Sequence, residues 1–286
     1  MHVTAQRFSF AQTPEGVTLL DSGRKVYHYQ SKTKSLNGLY PRANYIHPLY
    51  GFEEEVLTED FPADHPHQRG IYWTWHQIFV SNFRAGDGWD CRNISWEVIN
   101  TNTSVSQKKA LLNTTCYWNS DSLNGIKSTP RRFLKEECSI LYQSNNAAAR
   151  ELRFTITLTA LTDTVKLGGS EDEKHYSGFS ARLALPGDVQ FISDTVKLVP
   201  ELYGNIAGKT ITMKGSFGSK KNTSFILQSG TADAAGKQKW ILRKEKSMQN
   251  IAWPGSSSLL VLAPGKSLTV TYTLFIIQSD NTNNTK

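Results

Sequence analysis

Leu152-Arg153-Phe154-Thr155-Ile156-Thr157-Leu158-Thr159 is the run that decides the fold. Apolar side chains take every second position. An extended chain therefore puts Leu152, Phe154, Ile156 and Leu158 on one face and the arginine and threonines on the other. A half-buried antiparallel strand has that period. The pattern returns at Leu268, Val270, Tyr272, Leu274 and Ile276, again at Ile94, Trp96 and Val98, and less cleanly over Leu112, Thr114, Cys116 and Trp118. Residues 3–29 alternate short apolar runs with the turn residues Thr13-Pro14-Glu15-Gly16 and Asp21-Ser22-Gly23, which reads as an opening meander. Residues 32–44 read as a polar loop and residues 84–90 as a turn whose tryptophan, Trp89, is either a lid or a packing residue. No stretch keeps a 3.6-residue period with capping signals, so helices are expected to be short and few. Many strands with polar connections predict an all-β fold of stacked antiparallel sheets. With 286 residues, 38% of them hydrophobic, one domain over residues 1–280 and a frayed tail at 281–286 are expected.

Composition excludes some partners. The formal charge is +7, but the basic residues are dispersed, with only short pairs at Lys108-Lys109, Arg131-Arg132 and Lys220-Lys221. A nucleic-acid footprint is a stripe or a run, so no nucleic acid is predicted. No apolar run reaches the roughly 18 residues of a membrane span, and the opening MHVTAQRF lacks the charged and apolar regions of a signal peptide. Cys91, Cys116 and Cys138 are scattered and match no metal or redox motif. They are expected to be buried thiols, with no tightly held structural zinc and no cofactor.

Residues 45–77, YIHPLYGFEEEVLTEDFPADHPHQRGIYWTWHQ, do not look like scaffold. They hold four of the seven histidines (His47, His65, His67 and His76) together with Arg69, Trp73 and Trp75. Pro66 fixes its own φ and biases His65 toward extended geometry. An extended chain would then point His65, His67 and Arg69 one way and Pro66 and Gln68 the other. Two imidazoles with an arginine and an aspartate serve a core poorly, so His65 and His67 read as functional. His47, beside Pro48 and among apolar residues, reads as a structural histidine. Downstream, Ile71, Trp73 and Trp75 alternate with Tyr72, Thr74 and His76, a strand leaving the site.

A second polar group, Gly168-Gly169-Ser170-Glu171-Asp172-Glu173-Lys174-His175-Tyr176, sits between two strand-like runs, and Arg182 follows on the second. Its acids could supply a general base or metal ligand, against the plain reading of a solvated loop. A third group, Trp240-Ile241-Leu242-Arg243-Lys244, reads as a strand with a basic end, or else its Arg243 offers a fork that suits carboxylates or sugar hydroxyls.

The runs DHPHQRG and GGSEDEK, with WILRKEKSMQN further on, resemble an uncharacterised bacterial family that carries a methane-oxygenase-like label. The label implies a membrane subunit, whereas this chain has no membrane span. Members carry a second histidine where this chain has Gln68. The resemblance covers most of the chain and implies a galactose-mutarotase-like β-supersandwich, a secreted or periplasmic setting, and work on carbohydrate. In such enzymes a histidine and a carboxylate face each other across a sugar ring. By resemblance the pair is His65 or His67 with Glu171 or Glu173.

Three readings follow. The first is an enzyme acting on a sugar by epimerisation, elimination or glycosidic cleavage. In it Arg69, Arg182, Arg243, His76 and His175 contact a small-molecule or glycan substrate, and Trp73, Trp75 or Trp240 offers a flat face. The second is a carbohydrate-binding protein without catalysis. The third is a metal-dependent enzyme using His65 and His67, completed by His76, Asp64 or a loop acid. The first two need no metal. His65, His67, Arg69, His76 and part of the 171–175 loop are expected to line one pocket.

Overall fold

The structure, a computed structural model, describes residues 6–123, 131–219 and 223–278. The Lys220-Lys221 pair and the 281–286 tail lie outside the described residues. The alternating run at Leu152 lies in the strand Ala149–Ala160. Its partner Ser267–Gln278 sets Leu152 opposite Leu274, Phe154 opposite Tyr272 and Ile156 opposite Val270. Two apolar faces with the same period therefore share one side of the sheet.

These strands sit within a nine-stranded sheet, ordered Ile94–Val105, Lys109–Ser120, Arg131–Asn146, Ala149–Ala160, Ser267–Gln278, Thr223–Ser229, Thr210–Gly215, Gln190–Ser193 and Val196–Leu198. A second nine-stranded sheet runs Phe8–Gln12, Gly16–Asp21, Arg24–Gln30, Tyr45–Leu49, Ile71–Trp75, Ser177–Arg182, Met248–Ala252, Gln238–Ile241 and Asn205–Ala207. The pairings within both are antiparallel. Their inner faces meet in one buried cluster: Trp73 of the second sheet lies 6.1 Å from Phe154 of the first, and Phe179 lies 4.6 Å from Tyr272, between ring centroids. The chain is thus an all-β antiparallel supersandwich. Among the described residues the helical content is two 3-10 turns, Asp121–Leu123 and Phe217–Ser219. No helix there is long and apolar enough to cross a membrane. All three cysteines are buried and free.

The 32–44 segment departs from the loop expected of it. Lys34–Leu36 pairs with Leu39–Arg42 in a hairpin that reverses at Asn37 and Gly38, both with positive φ (52° and 85°). Asn-Gly is the pair that a two-residue hairpin turn of this hand favours, and it is the signal that the polar composition hides.

One strand pair positions the site. Ile71–Trp75 lies beside Ser177–Arg182, with Ile71 opposite Ala181 and Trp75 opposite Ser177. The odd-numbered residues of the first strand enter the core. Tyr72, on the other face, packs edge-on to Trp89 at 5.7 Å. The turn carrying Trp89 lies tight on that face, because a Cβ at Gly88 would meet Thr74 Oγ1 at 2.1 Å.

Candidate active site

Residues 61–70 are not extended. The His65 N–H donates to the Pro62 carbonyl (3.1 Å) and the Gln68 N–H to the His65 carbonyl (2.9 Å), so two successive turns replace the strand expected there. Pro66 holds the second position of the second turn, where its fixed φ favours turning the chain. Even so, the His65 and His67 rings stay together, edge to face at 5.7 Å. Arg69 goes elsewhere. It is fully buried, donates to Asp60, the Tyr45 hydroxyl and the carbonyls of Lys34 and Tyr40, and lies 3.5 Å from the Phe61 ring centroid.

His65, His67, Gln68 and His76 line a cavity of about 240 Å3, whose other walls are Trp89, Asp90, Ser170, Asp172 and Tyr176. Trp89 stacks on His76 at 5.2 Å and meets Tyr176 at 5.3 Å. Two of the imidazoles are held by carboxylates that arginines anchor. His65 Nδ1 lies 2.9 Å from Asp64 Oδ2, and Arg182 donates to Asp64 Oδ1 at 2.8 Å. His76 Nδ1 lies 3.0 Å from Asp87 Oδ2, which also accepts from Arg92 at 3.2 Å. Such pairs fix a ring's orientation and leave its other nitrogen to the cavity. Burial works against the charges of Asp64 and Asp87, but the hydrogen bonds from their histidines, and Arg182 at Asp64, hold both carboxyls below the usual range.

His67 differs from its neighbours. No hydrogen-bond partner faces its ring nitrogens among the described residues. Burial pushes the imidazole down to about 4; the charge of Asp90 opposes that shift, and His65 and Arg42 add to it. At neutral pH it is an uncharged ring with a free lone pair inside a cavity.

Several expected site residues lie elsewhere. Trp73, Trp75 and Trp240 offer no face to a sugar: all three belong to the hydrophobic core and none lines the cavity, whereas Trp89, equally buried, forms part of its wall. The alternation that placed Trp73 and Trp75 on a strand also turned them inward, and Trp240 donates its indole N–H to the Gly208 carbonyl. Arg182 is a buried clamp on Glu59, Asp64, Gln68 and the Lys246 carbonyl. Arg243 donates to the carbonyls of Glu201, Leu202 and its neighbour Leu242, reaching the site only through the Tyr176 hydroxyl at 3.1 Å. His175 takes a positive φ of 56° and points Nδ1 at the Ser170 carbonyl (3.2 Å). Glu171 pairs with Arg84 at 3.0 Å beside a neighbouring cavity, and Glu173 is exposed. The loop acid that shares the cavity with the imidazoles is Asp172. Sequence reasoning does not single out Asp90 or Tyr176 and leaves Trp89 a lid or a packing residue; a tryptophan set between Asp87 and Asp90 in a turn with two glycines is the available signal. His47 is half-buried, with Nδ1 3.0 Å from the Thr58 hydroxyl.

No curated protein matches this chain. Solved structures of similar course include a galactose mutarotase related enzyme from Lactobacillus acidophilus, at 10% identity and TM-score 0.42, covering 96% of this chain and 98% of that one. A GalM/aldose epimerase homologue from C. elegans is similar at 10% identity and TM-score 0.40, covering 96% of this chain and 100% of that one. At these values the likeness says nothing of the reaction. Residues 16–285 match a family of unknown function whose description names no activity, so the methane-oxygenase-like label finds no support. The chain belongs to that family, DUF6807.

Proposed function

We propose that the chain acts on a single sugar ring by proton transfer, as an aldose epimerase does. The observation that carries this reading is the cavity itself, which gathers three imidazoles, the carboxylates of Asp90 and Asp172 and the flat side chains of Trp89 and Tyr176 around about 240 Å3. That volume lies below the roughly 300–1,000 Å3 of drug-sized pockets and suits one ring rather than an oligosaccharide. The uncharged His67 accepts the proton of the anomeric hydroxyl, and His65, oriented by Asp64, donates one to the ring oxygen. The bond between the anomeric carbon and the ring oxygen then breaks to give the open-chain aldehyde. Rotation about the adjacent carbon–carbon bond and the reverse transfers close the other anomer: His67 returns its proton to the anomeric oxygen and His65 recovers its own from the ring oxygen. Asp90 and Asp172 accept hydrogen bonds from ring hydroxyls.

A binding protein without catalysis would present tryptophans on an open surface. Here six of the seven tryptophans are buried, which favours the enzyme. The test is anomer exchange, followed by NMR saturation transfer across a panel of aldoses. Acceleration by the wild type that is lost in His67→Ala supports the reading. Binding of an aldose without exchange would leave the carbohydrate-binding alternative.

A further inference from the structure

We propose that His76, Asp87 and Asp90 form a divalent-cation site in which the Arg92 guanidinium stands in for the ion. Each residue offers one ligand atom, and the three atoms lie within 4.8 Å of one another. Donors arranged tetrahedrally at zinc distances are separated by roughly 3.3 Å, so modest closure suffices. Arg92 already shows what the place attracts. Its guanidinium nitrogen lies 3.2 Å from Asp87 Oδ2 and 3.0 Å from Asp90 Oδ2, a positive charge between two carboxylates. That side chain is 68% exposed, so the contact is held weakly and can be displaced toward solvent.

The frame beneath is fixed. Asp87 Oδ1 accepts the backbone N–H groups of Trp89 (2.9 Å) and Asp90 (3.1 Å), while Asp87 and Arg92 exchange backbone hydrogen bonds across the turn at 2.9 and 2.8 Å. Asp87 is therefore held in place by Oδ1, while its Oδ2, now shared by His76 Nδ1 (3.0 Å) and Arg92 (3.2 Å), would exchange the His76 proton and the guanidinium for the ion. One imidazole and two carboxylates suit a borderline cation such as Zn2+ or Mn2+ better than Ca2+. The site lies in a wall: His76 and Asp90 face the imidazole cavity, whereas Asp87 and Arg92 face the neighbouring cavity of about 460 Å3. An ion there would polarise a sugar hydroxyl without using His65 or His67. The inference stands on this geometry alone and does not depend on the proposed reaction.

The competing location for an ion is the His65–His67 pair, and calorimetric titration of the whole chain with ZnCl2 and, separately, MnCl2 distinguishes them. Expected is one equivalent bound, weakened at least tenfold in both His76→Gln and Asp90→Asn and unchanged in His65→Gln. Arg92→Ala should tighten binding roughly three- to tenfold, because it removes the competing charge. Asp87 is left intact because its amide bonds hold the turn, and circular dichroism checks that each variant is folded. Absence of binding at millimolar metal would overturn the proposal. So would binding that depends on His65 and not on Asp90, or an Arg92→Ala variant that binds no more tightly.

Discussion

Trp75 stands directly opposite Ser177 in the antiparallel pair at the centre of the second sheet. The residues one step beyond each, His76 and Tyr176, consequently meet across the cavity with ring centroids 6.4 Å apart. Two polar segments about a hundred residues apart are brought to one place by that register. A one-residue slip between the two strands would carry His76 and Tyr176 to opposite faces.

His67→Ala should reduce turnover on a responsive aldose by roughly 10²–10⁴-fold, the usual worth of a positioned proton-transfer group. Its ring forms no hydrogen bond among the described residues, so thermal stability should change little. A variant with full anomer exchange would remove His67 from the mechanism.

Stability should fall between about pH 6.5 and pH 4. Burial lowers both His47 and His67 to about 4 in the folded chain, so across this window the unfolded chain binds more protons. The contribution is complete above the unfolded value and disappears as pH drops through the folded one. Each imidazole accounts for at most about 3 kcal/mol. Urea unfolding of the wild type and His67→Gln at pH 7 and pH 4.5 checks the sign, and an equal loss in both proteins would exclude His67 as a source.

Asp172→Asn should impair sugar binding whereas Glu171→Gln should not. Asp172 faces the imidazoles, while Glu171 makes an exposed pair with Arg84. Equilibrium binding of one aldose to both variants is sufficient; equal affinities would place the loop outside the site.

Arg182→Met should cost about 2–3 kcal/mol, discounted from the loss expected for a fully buried pair because Glu59 and Asp64 remain partly exposed. It also releases the Asp64 carboxylate that orients His65, so the NMR chemical shifts of the His65 ring at fixed pH should change. Unchanged ring shifts would make Arg182 a purely structural clamp.

Trp73→Ala should cost about 3–5 kcal/mol, the price of emptying a core position. Trp89→Phe should instead abolish the fluorescence change on sugar binding, since Trp89 lines the cavity. If Trp73→Phe removed that signal and Trp89→Phe kept it, the cavity assignment would fail.

Strand class and sheet stacking were legible in the order of residues because alternation is local: Phe154 and Tyr272 announce a buried face whatever lies opposite. The importance of the histidine-rich segment was legible too, since polar groups of that kind are costly to bury without partners. Which tryptophans face a ligand was not. Trp73 and Trp89 look alike as residues, and only the packing of one sheet on the other sends Trp73 inward, while the turn at Gly88 lays Trp89 over the outer face. Nor could spacing choose among Glu171, Asp172 and Glu173, because a turn aims consecutive side chains in different directions. Tertiary structure decided that choice, as it decided that Arg69, just past a turn, and Arg182, at the end of its strand, are anchored to nearby acids and carbonyls, because the partners each guanidinium meets are brought to it by contacts across the fold.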